Sequence, residues 1–217
     1  MKNRIFLIDD HPVVRQGLAT LLNQQADLEV CGEADDSVGA LAAIAIAKPD
    51  VALVDLSLKT SSGLELVKDL VSQHPTVRVV VLSMYDELIY AERVVRAGAS
   101  GYVMKRETNN NLLAAIRRVA AGGVFLSDRV MTVIAEKMGA PKRLRGASIV
   151  DQLSDRELEV FRLMGRGRST SQIAEEMHIS IKTVQAYHAR MKEKLGLTNA
   201  TELLRAAVRW EAADEPA

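Results

Sequence analysis

The chain has a single cysteine, no long apolar run and no net charge. Because it is alone, Cys31 cannot form an internal disulfide, and we expect it to be a small core residue. The longest apolar stretches are strand-sized or broken by charges, so no transmembrane helix is predicted. Residues 1–4 lead into only four apolar residues before an acidic pair, unlike a signal peptide. We therefore expect a cytoplasmic protein without a membrane partner.

Strand-like and helix-like segments alternate over about the first 122 residues. Short apolar runs predict five strands, over 5–8, 28–32, 51–55, 79–82 and 101–104. Apolar residues at helical spacing predict five helices, over 12–22, 37–47, 64–71, 88–96 and 110–121. Five β-α units of this kind imply an α/β domain, in which a parallel sheet is covered by helices on both faces.

The rest of the chain is different, and beyond residue 148 it shows no strand pattern. A helix is predicted over 128–138, and 139–148 is rich in cations, Pro, Gly and Ser, which is typical of a linker. Four helix starts follow, with N-caps at Ser154, Ser169, Ser180 and Asn199, three of them in capping-box form. We therefore expect a first domain over 1–122, a connecting helix and linker over 123–150, and an all-helical domain over 151–212.

Polar side chains stand where four of the predicted strands end. Asp9 and Asp10 follow the first strand, Asp55 ends the third, Ser83 ends the fourth and Lys105 follows the fifth. Because parallel strand ends converge on one crevice, we expect these groups to lie close together. Clustered carboxylates suit Mg²⁺, and a magnesium-compensated Asp55 can attack a phosphorylated donor to form an aspartyl phosphate.

Each of these residues alone has a simpler interpretation, because a lone Asp after a strand is more often a helix cap or a loop residue. The joint pattern supports the site. It also permits an enzyme, a magnesium phosphatase or phosphotransferase with an aspartyl intermediate. Against that alternative, Asp9-Asp10-His11 lacks the Asp-x-Asp order of the well-known phosphatases of that kind, and no substrate-cap insertion is present. Hydrolysis of a phosphate monoester would favour the enzyme.

Residues 1 to about 122 resemble the receiver domain of bacterial two-component response regulators, a flavodoxin-like, doubly wound five-stranded fold. The resemblance lies in Asp9-Asp10-His11-Pro12, Asp55-Leu56 with Gly63-Leu64, Leu82-Ser83, and the run from Gly98 to Lys105. It implies that Asp55 is the phosphoacceptor and that a sensor histidine kinase phosphorylates it. It implies a Mg²⁺ ion held by Asp9, Asp10, Asp55 and the backbone carbonyl of Ser57. Ser83 and Tyr102 would be the switch residues and Lys105 the family's invariant lysine.

One departure from the receiver pattern follows the phosphoacceptor. The family usually has Met-Pro there, whereas this chain has Leu58-Lys59. Losing that proline loosens the loop and brings a cation near the site, so we expect Lys59 to alter how long the phosphoryl group stays. No atom that the chemistry requires is lost.

A helix-turn-helix pattern covers 172–195, with a short helix over 172–177, a turn at 178–179 and a second helix from 180. On the second helix one face is apolar, formed by Val184, His188, Met191 and Leu195. The opposite face is free to enter a DNA major groove and carries Lys182, Gln185, Ala186, Ala189 and Arg190. Cations outnumber acids between residues 162 and 194, as binding to phosphates requires: Arg162, Arg166, Arg168, Lys182, Arg190, Lys192 and Lys194.

Residues 153 to about 210 resemble the DNA-binding domain of the NarL/LuxR/FixJ regulators. The resemblance lies in 153–160, in Ile173-Ala174, in 180–184 and in Lys194-Leu195-Gly196. It implies that Lys182 and Thr183 contact the backbone of promoter DNA, while Gln185, Ala186 and Ala189 face bases. A departure is Tyr187, where the family usually has His, and it affects the local phosphate contact.

The two resemblances together imply a switch. Phosphorylation of Asp55 would attract Ser83 and Lys105, and moving Ser83 would open space for the ring of Tyr102. In this family such a change typically frees the DNA-binding domain and favours a homodimer, for which Leu203, Leu204, Ala207 and Trp210 resemble the contact helix. A remaining alternative is a switch whose helical domain binds protein rather than DNA. Salt-sensitive promoter binding that depends on Lys182 and Gln185 would exclude it.

Overall fold

The computed structural model describes residues 2–58, 62–107, 109–139 and 149–214. They form two compact units, Met1–Gly139 and Ala140–Ala217. The first unit contains five strands: β1 Asn3–Ile8, β2 Leu28–Ala34, β3 Val51–Asp55, β4 Arg78–Ser83 and β5 Gly101–Met104. Its six helices are α1 Pro12–Asn23, α2 Ser37–Ala47, α3 Gly63–Gln73, α4 Glu87–Arg96, α5 Asn109–Ala120 and α6 Asp128–Gly139.

The sheet has the order β2-β1-β3-β4-β5, and all neighbouring strands are parallel. The alternation of the strands divides their apolar residues between two faces. One face packs against α1 and α5, with Ile5, Leu7, Leu53, Val80, Leu82 and Val103 in the same buried cluster as Leu22, Leu112 and Ile116. The other face is also buried, at Phe6, Ile8, Ala52, Val54, Val79 and Val81. The predicted α/β fold, with a parallel sheet covered on both sides, is confirmed.

Residues 123–139 pack with the first unit. Phe125 bridges to β5, since its N–H donates to the carbonyl of Ser100 and its own carbonyl accepts from Tyr102 N–H. Helix α6 contacts α4. The helix predicted to connect the two domains is therefore attached to the first one, and most of the predicted linker, 140–148, lies outside the described residues.

The second unit, as described, is helical. It has a short 3-10 helix, Ile149–Gln152, and four α-helices, α7 Asp155–Gly165, α8 Thr170–Glu176, α9 Ile181–Leu195 and α10 Ala200–Asp214. Helices α7 and α10 cross closely, because a Cβ on Gly165 would stand 2.7 Å from the carbonyl oxygen of Ala207. Phe161 packs on Trp210 beside this crossing, with ring centroids 5.8 Å apart.

All four predicted N-caps are confirmed. Ser154 and Ser169 form reciprocal capping boxes with Glu157 and Gln172, and Ser180 accepts the N–H of Thr183. The third predicted capping box, at Asn199, is only half formed. Asn199 accepts the N–H of Glu202, but the Glu202 carboxylate accepts from the N–H and hydroxyl of Thr198 instead of returning to Asn199.

Candidate phosphoacceptor site and DNA-recognition helix

The carboxyl ends of β1 and β3 bring three carboxyl groups together. Asp9, Asp10 and Asp55 are all buried, and one ligand atom from each of them and from His11 lie within 4.8 Å of one another. The register of β3, β4 and β5 carries Ser83 and Lys105 to the same edge, because Asp55 pairs with Leu82 on β4, which is next to Ser83. The strand-end positions predicted from sequence therefore meet at one edge of the sheet.

Lys105 joins two of these carboxyl groups. Its Nζ donates to Asp9 Oδ2 and to Asp55 Oδ2, each at 2.7 Å. Its backbone N–H donates to the carbonyl of Ser83 at 2.8 Å, which fixes the end of β5 against β4. Burial opposes the charged form of Lys105, but the bonds to Asp55 and then Asp9 outweigh burial, so the pKa of this ammonium is raised. It therefore remains a fixed positive charge beside the acids.

Both carboxylate oxygens of Asp55 are held. Oδ2 accepts from Lys105, and Oδ1 accepts the N–H of Ser57 at 3.0 Å, so the chain after β3 curls around the side chain. Burial raises the pKa of Asp55, and the Lys105 ammonium, through its hydrogen bond and its charge, partly offsets that rise. The carboxylate is thus oriented before any partner binds.

The donor set fits a hard divalent cation. The pocket holds three buried carboxyl groups and one ammonium, which pairs with two of them, so acidic groups are in excess. The ligand atoms that these acids offer to a metal are all oxygens. Mg²⁺ prefers oxygen ligands and is bound by few carboxylates because it keeps waters. Ser57, whose carbonyl was predicted as a further ligand, lies next to the site through its bond to Asp55.

His11 and Arg15 also contact the acids. His11 donates its backbone N–H to Asp9 Oδ1 at 2.8 Å, and its Nδ1 lies 2.7 Å from Asp10 Oδ1. Arg15 Nη1 donates to the carbonyl of Asp9 at 2.5 Å. Arg15 was not predicted. Its position in the first turn of α1, which starts at Pro12, was the signal that could have found it.

Ser83, Tyr85 and Tyr102 form a hydrogen-bonded group behind the acids. Ser83 is fully buried and its Oγ accepts the N–H of Tyr85 at 3.1 Å. The hydroxyl of Tyr102 donates to the carbonyl of Tyr85 at 2.7 Å. Burial raises the pKa of the Tyr102 phenol, against a hydrogen bond with Ser83. Tyr102 is 2 % exposed, so its ring already occupies the interior, whereas the sequence led us to expect the ring to enter after Ser83 moves.

The face of α9 predicted to read DNA lies on the surface. Its exposed residues are Lys182, Gln185, Ala186, Ala189 and Arg190. The opposite face holds the helix in its domain through Val184 and Met191, which are fully buried. Thr183 is half-buried, and its hydroxyl lies 2.8 Å from Ser180 Oγ in the N-cap. Six predicted contact residues therefore lie on or beside one solvent-facing strip of α9, with Thr183 also serving the cap.

The basic surface is narrower than the sequence suggested. Arg162 is buried and Arg166 bonds to the buried Glu211 at 2.6 Å. Lys194 donates to the buried Glu157 at 2.6 Å and lowers its pKa against the effect of burial. Of these three cations only Arg162 is buried, so counting it in a phosphate-binding surface was wrong. Arg166 and Lys194 pair with buried acids but are themselves exposed. Lys182 and Arg190 remain exposed on α9.

Of the four residues predicted for a dimer contact on α10, Leu204 is exposed and Trp210 is half-buried. Leu203 and Ala207 are fully buried within the unit, so they cannot meet a second copy. Leu204 and Val208, one turn apart, are 43 % and 44 % exposed.

Lys59, predicted to alter how long the phosphoryl group stays, lies outside the described residues.

In the part of the chain that is described, no helix has the length and apolar character needed to cross a membrane.

Comparison with known proteins identifies both units. The family described as "Response regulator receiver domain" matches residues 5–117, and that described as "Bacterial regulatory proteins, luxR family" matches residues 151–207. The oxygen regulatory protein NreC of Staphylococcus aureus is 35 % identical over 210 residues, covering 95 % of this chain and 97 % of NreC.

Solved structures agree. RcsB from Salmonella enterica serovar Typhimurium, bound to the promoter P1flhDC with phosphomimetic BeF3-, is 26 % identical and has a TM-score of 0.67, over 96 % of this chain and 100 % of RcsB. A LuxR-family two-component response regulator from Aurantimonas sp. SI85-9A1 is 31 % identical with a TM-score of 0.59, over 64 % of this chain and all of its own. The chain therefore belongs to the LuxR family of two-component response regulators, which act as DNA-binding transcription regulators and not as enzymes.

Proposed function

We propose that Asp55 is the phosphoacceptor, phosphorylated by a sensor histidine kinase in the cytoplasm. The observation that carries the proposal is the position of Lys105, whose Nζ bonds to both Asp55 and Asp9. A carboxylate oxygen of Asp55 attacks the phosphorus of the donor, the bond from phosphorus to the donor breaks, and the departing group takes the electron pair. Lys105 then pairs with a phosphoryl oxygen instead of the Asp55 carboxylate.

Asp9, Asp10, Asp55 and the carbonyl of Ser57 would hold Mg²⁺, the ion that receiver domains typically bind at such an acidic pocket. When bound, the ion supplies positive charge that offsets the carboxylates and polarises the phosphoryl oxygens. The chain's own contribution is to keep Asp9 and Asp55 close through Lys105, and to orient Asp55 through the N–H of Ser57.

Asp55→Asn with a small-molecule phosphodonor and Mg²⁺ tests the acceptor. We expect the variant to take up no phosphoryl group, measured by intact-protein mass. Asp69→Asn, which changes an exposed aspartate on α3, is the matched control and should be labelled like the parent chain. Labelling that survives in Asp55→Asn shows that another residue is the acceptor.

The bonds around Ser83 provide a route for the signal. A phosphoryl group on Asp55 would accept a hydrogen bond from the Ser83 hydroxyl, whose oxygen now accepts the N–H of Tyr85. Reorienting that hydroxyl would weaken its bond to the N–H of Tyr85. Tyr85 follows the end of β4, and its carbonyl accepts the hydroxyl of Tyr102 on β5, so the change would reach both strands. The switch proposed here is a rearrangement of these bonds around a ring that is already inside.

In the second domain, α9 would enter the major groove of double-stranded promoter DNA. Gln185, Ala186 and Ala189 would face base edges, and the small alanines permit close approach. Lys182, Thr183 and Arg190 would bind the backbone phosphates. The exposure of this strip and the burial of the opposite face of α9 support the assignment.

Salt-dependent binding of the full chain to promoter DNA tests the assignment. Lys182→Ala should weaken binding to all sequences and reduce the magnitude of the salt slope by about 1, whereas Gln185→Ala should cost about 1–3 kcal/mol and relax preference at one base pair. Lys68→Ala, an exposed lysine of α3, is the control. A chain that binds no DNA, or binds equally after both changes, contradicts the proposal.

Phosphorylation would favour a homodimer in which α10 contacts α10 of the second copy. The exposed pair Leu204 and Val208 supports this contact. Two α9 helices would then read paired half-sites. Leu204→Glu should lower affinity for a paired site while affinity for a single half-site stays the same. Equal losses on both sites would point to a damaged domain and not to a dimer contact.

A further inference from the structure

Helix α2 has an outward face without charge. None of its residues, Ser37–Ala47, is ionisable. Val38 and Ile46 are 78 % and 85 % exposed, and the small residues Gly39, Ala42 and Ala45 between them are exposed as well. Inward, Ala40 and Ile44 hold the helix on the domain. A helix that is apolar on every side is normally buried on every side, so in the described part of the chain α2 has an apolar face left in solvent.

We propose that this face binds the same face of a second copy, with the two α2 helices antiparallel and the two-fold axis at Ala42. In a symmetric contact of this kind, residues equally far from Ala42 on either side meet each other. Val38 then meets Ile46 of the second copy, and Ile46 meets Val38. The two most exposed residues of the helix are thus covered together.

The sizes of the side chains fit the arrangement. Ala42 lies at the axis, and Gly39 pairs with Ala45, so the centre of the contact is made of small residues. Small residues let helix axes approach toward the short end of the usual 8–10 Å range. The larger Val38 and Ile46 stand outside this centre, where they can close the contact from both ends.

The charges at the helix ends select the antiparallel orientation and a second copy as the partner. Asp36 is the N-cap, where its Oδ1 accepts the N–H of Gly39 at 2.7 Å, and the exposed Lys48 is the C-cap. Asp36 and Lys48 are equally far from Ala42 in sequence, on opposite sides of it, so Lys48 of each copy faces Asp36 of the other. Antiparallel helix dipoles add to this attraction. A parallel pair would bring like charges together at both ends.

The contact is small. A helix of 11 residues is about 16 Å long, too short to bury the roughly 800 Å² per partner of a standard interface. We therefore expect association through α2 at high protein concentration, or where DNA holds neighbouring copies together and raises their effective concentration. Its role would be to couple neighbouring copies on a promoter, through a surface separate from α10.

Cysteine cross-linking of the full chain tests the register. In a Cys31→Ser background, Ala42→Cys should form a disulfide-linked dimer under mild oxidation, because the axis brings two Cα atoms within the roughly 7 Å that a disulfide spans. Val38→Cys alone and Ile46→Cys alone should link poorly, whereas a mixture of the two variants should link well. Equal linking by all three single variants, or none by Ala42→Cys and by the mixture, overturns the proposal.

Sedimentation equilibrium provides the second measurement. Ala42→Glu places two carboxylates at the axis and should lower the association constant at least tenfold, and its exposed position and the helix preference of Glu keep the domain folded. Circular dichroism and thermal unfolding verify that folding. Leu204→Glu should leave linking through Ala42→Cys intact. The comparison is made in a Leu204→Glu background, which removes the proposed α10 contact; there, an Ala42→Glu chain that is folded and associates as strongly as the chain with Ala42 overturns the proposal.

Discussion

Gly63 lies directly against the backbone of Leu56, and a Cβ on Gly63 would stand 2.4 Å from Leu56 Cα. The same Cβ would be 2.4 Å from the carbonyl oxygen of Asp55. The N–H of Gly63 donates to the carbonyl of Leu56 at 3.3 Å, so α3 begins in contact with the end of β3. Only a residue without a side chain allows this approach, since both neighbours are backbone atoms.

Gly63→Ala should therefore displace the end of β3. We expect a loss of about 1–3 kcal/mol in the free energy of unfolding of the receiver domain, and slower phosphorylation of Asp55 by a small-molecule donor. Urea unfolding and intact-protein mass measure the two effects. Gly17→Ala is the control, because a Cβ at Gly17 in α1 meets nothing within 4 Å and should stabilise the helix by about 0.5–1 kcal/mol. A Gly63→Ala chain as stable as the parent contradicts the close approach.

The ammonium of Lys105 offsets the charge of Asp9 and Asp55. Lys105→Met removes it and leaves the acids to repel one another, so we expect a loss of about 3 kcal/mol in stability at neutral pH with a chelator present. Added Mg²⁺ should recover part of this loss, because it binds the folded chain only and supplies the missing positive charge.

The measurement is urea unfolding of Lys105→Met and of the parent, with EDTA and with Mg²⁺. Lys68→Met, which breaks an exposed pair with Glu65, is the control and should change stability little in both conditions. A loss for Lys105→Met that is the same with and without Mg²⁺ means that the acids do not form the cation site.

The hydroxyl of Tyr102 donates to the carbonyl of Tyr85 at 2.7 Å, and its ring is buried. Tyr102→Phe keeps the ring and removes one hydrogen bond, so it should cost about 1 kcal/mol in stability. Basal DNA affinity should be unchanged, while the gain in affinity on phosphorylation should shrink, since Tyr85 loses its link to β5. Anisotropy with labelled promoter DNA, with and without phosphodonor, measures this. A full phosphorylation response in Tyr102→Phe would remove this bond from the signal route.

Much of the phosphoacceptor site could be predicted from sequence because parallel strands end at one edge. Asp55, Ser83 and Lys105 each follow a short apolar run, and strand register alone brings them together. The bounds of α2 also follow from local signals, with Asp36 as N-cap and Pro49 two residues after the helix ends.

What the sequence could not supply was the choice between neighbouring residues that tertiary packing makes. Leu203 and Leu204 are adjacent and equally apolar, and only the crossing of α10 over Gly165 turns Leu203 inward. In the same way, the position of Glu211 pairs Arg166 with a buried acid of α10, a contact between residues 45 positions apart in sequence. The inward ring of Tyr102 depends on the carbonyl of Tyr85, a loop group that no sequence pattern marks.

Gly165 sets the distance between α7 and α10. A Cβ there would lie 2.7 Å from the carbonyl oxygen of Ala207 and 2.9 Å from Cβ of Glu211. Gly165→Ala should push the helices apart and destabilise the DNA-binding domain by about 1–3 kcal/mol. Trp210, the chain's one tryptophan, packs on Phe161 beside this crossing, so its fluorescence reports unfolding of this domain. Gly17→Ala, in the first domain, should not change the midpoint of the unfolding transition followed by Trp210 fluorescence. If Gly165→Ala also leaves that midpoint unchanged, the close packing of α7 on α10 is contradicted.

His188 makes the stability of the DNA-binding domain depend on pH. Burial, together with the nearby charge of Lys192, lowers the pKa of this histidine in the folded chain below its ordinary value of 6.5. The unfolded chain therefore takes up the proton first. The contribution of His188 to stability is complete above about pH 6.5, and it is lost as pH falls through the lower pKa of the folded state.

Urea unfolding followed by Trp210 fluorescence, between neutral and mildly acidic pH, checks this expectation. Other groups titrate over the same range, so the free energy of unfolding of the parent is compared with that of His188→Gln at each pH. The advantage of the parent should shrink, or reverse in favour of the variant, as pH falls. His178→Asn, at an exposed histidine with φ of 52°, a conformation that Asn tolerates, is the control for the loss of a histidine. A pH profile that His188→Gln leaves unchanged would mean that His188 accepts its proton equally well in the folded and unfolded chains.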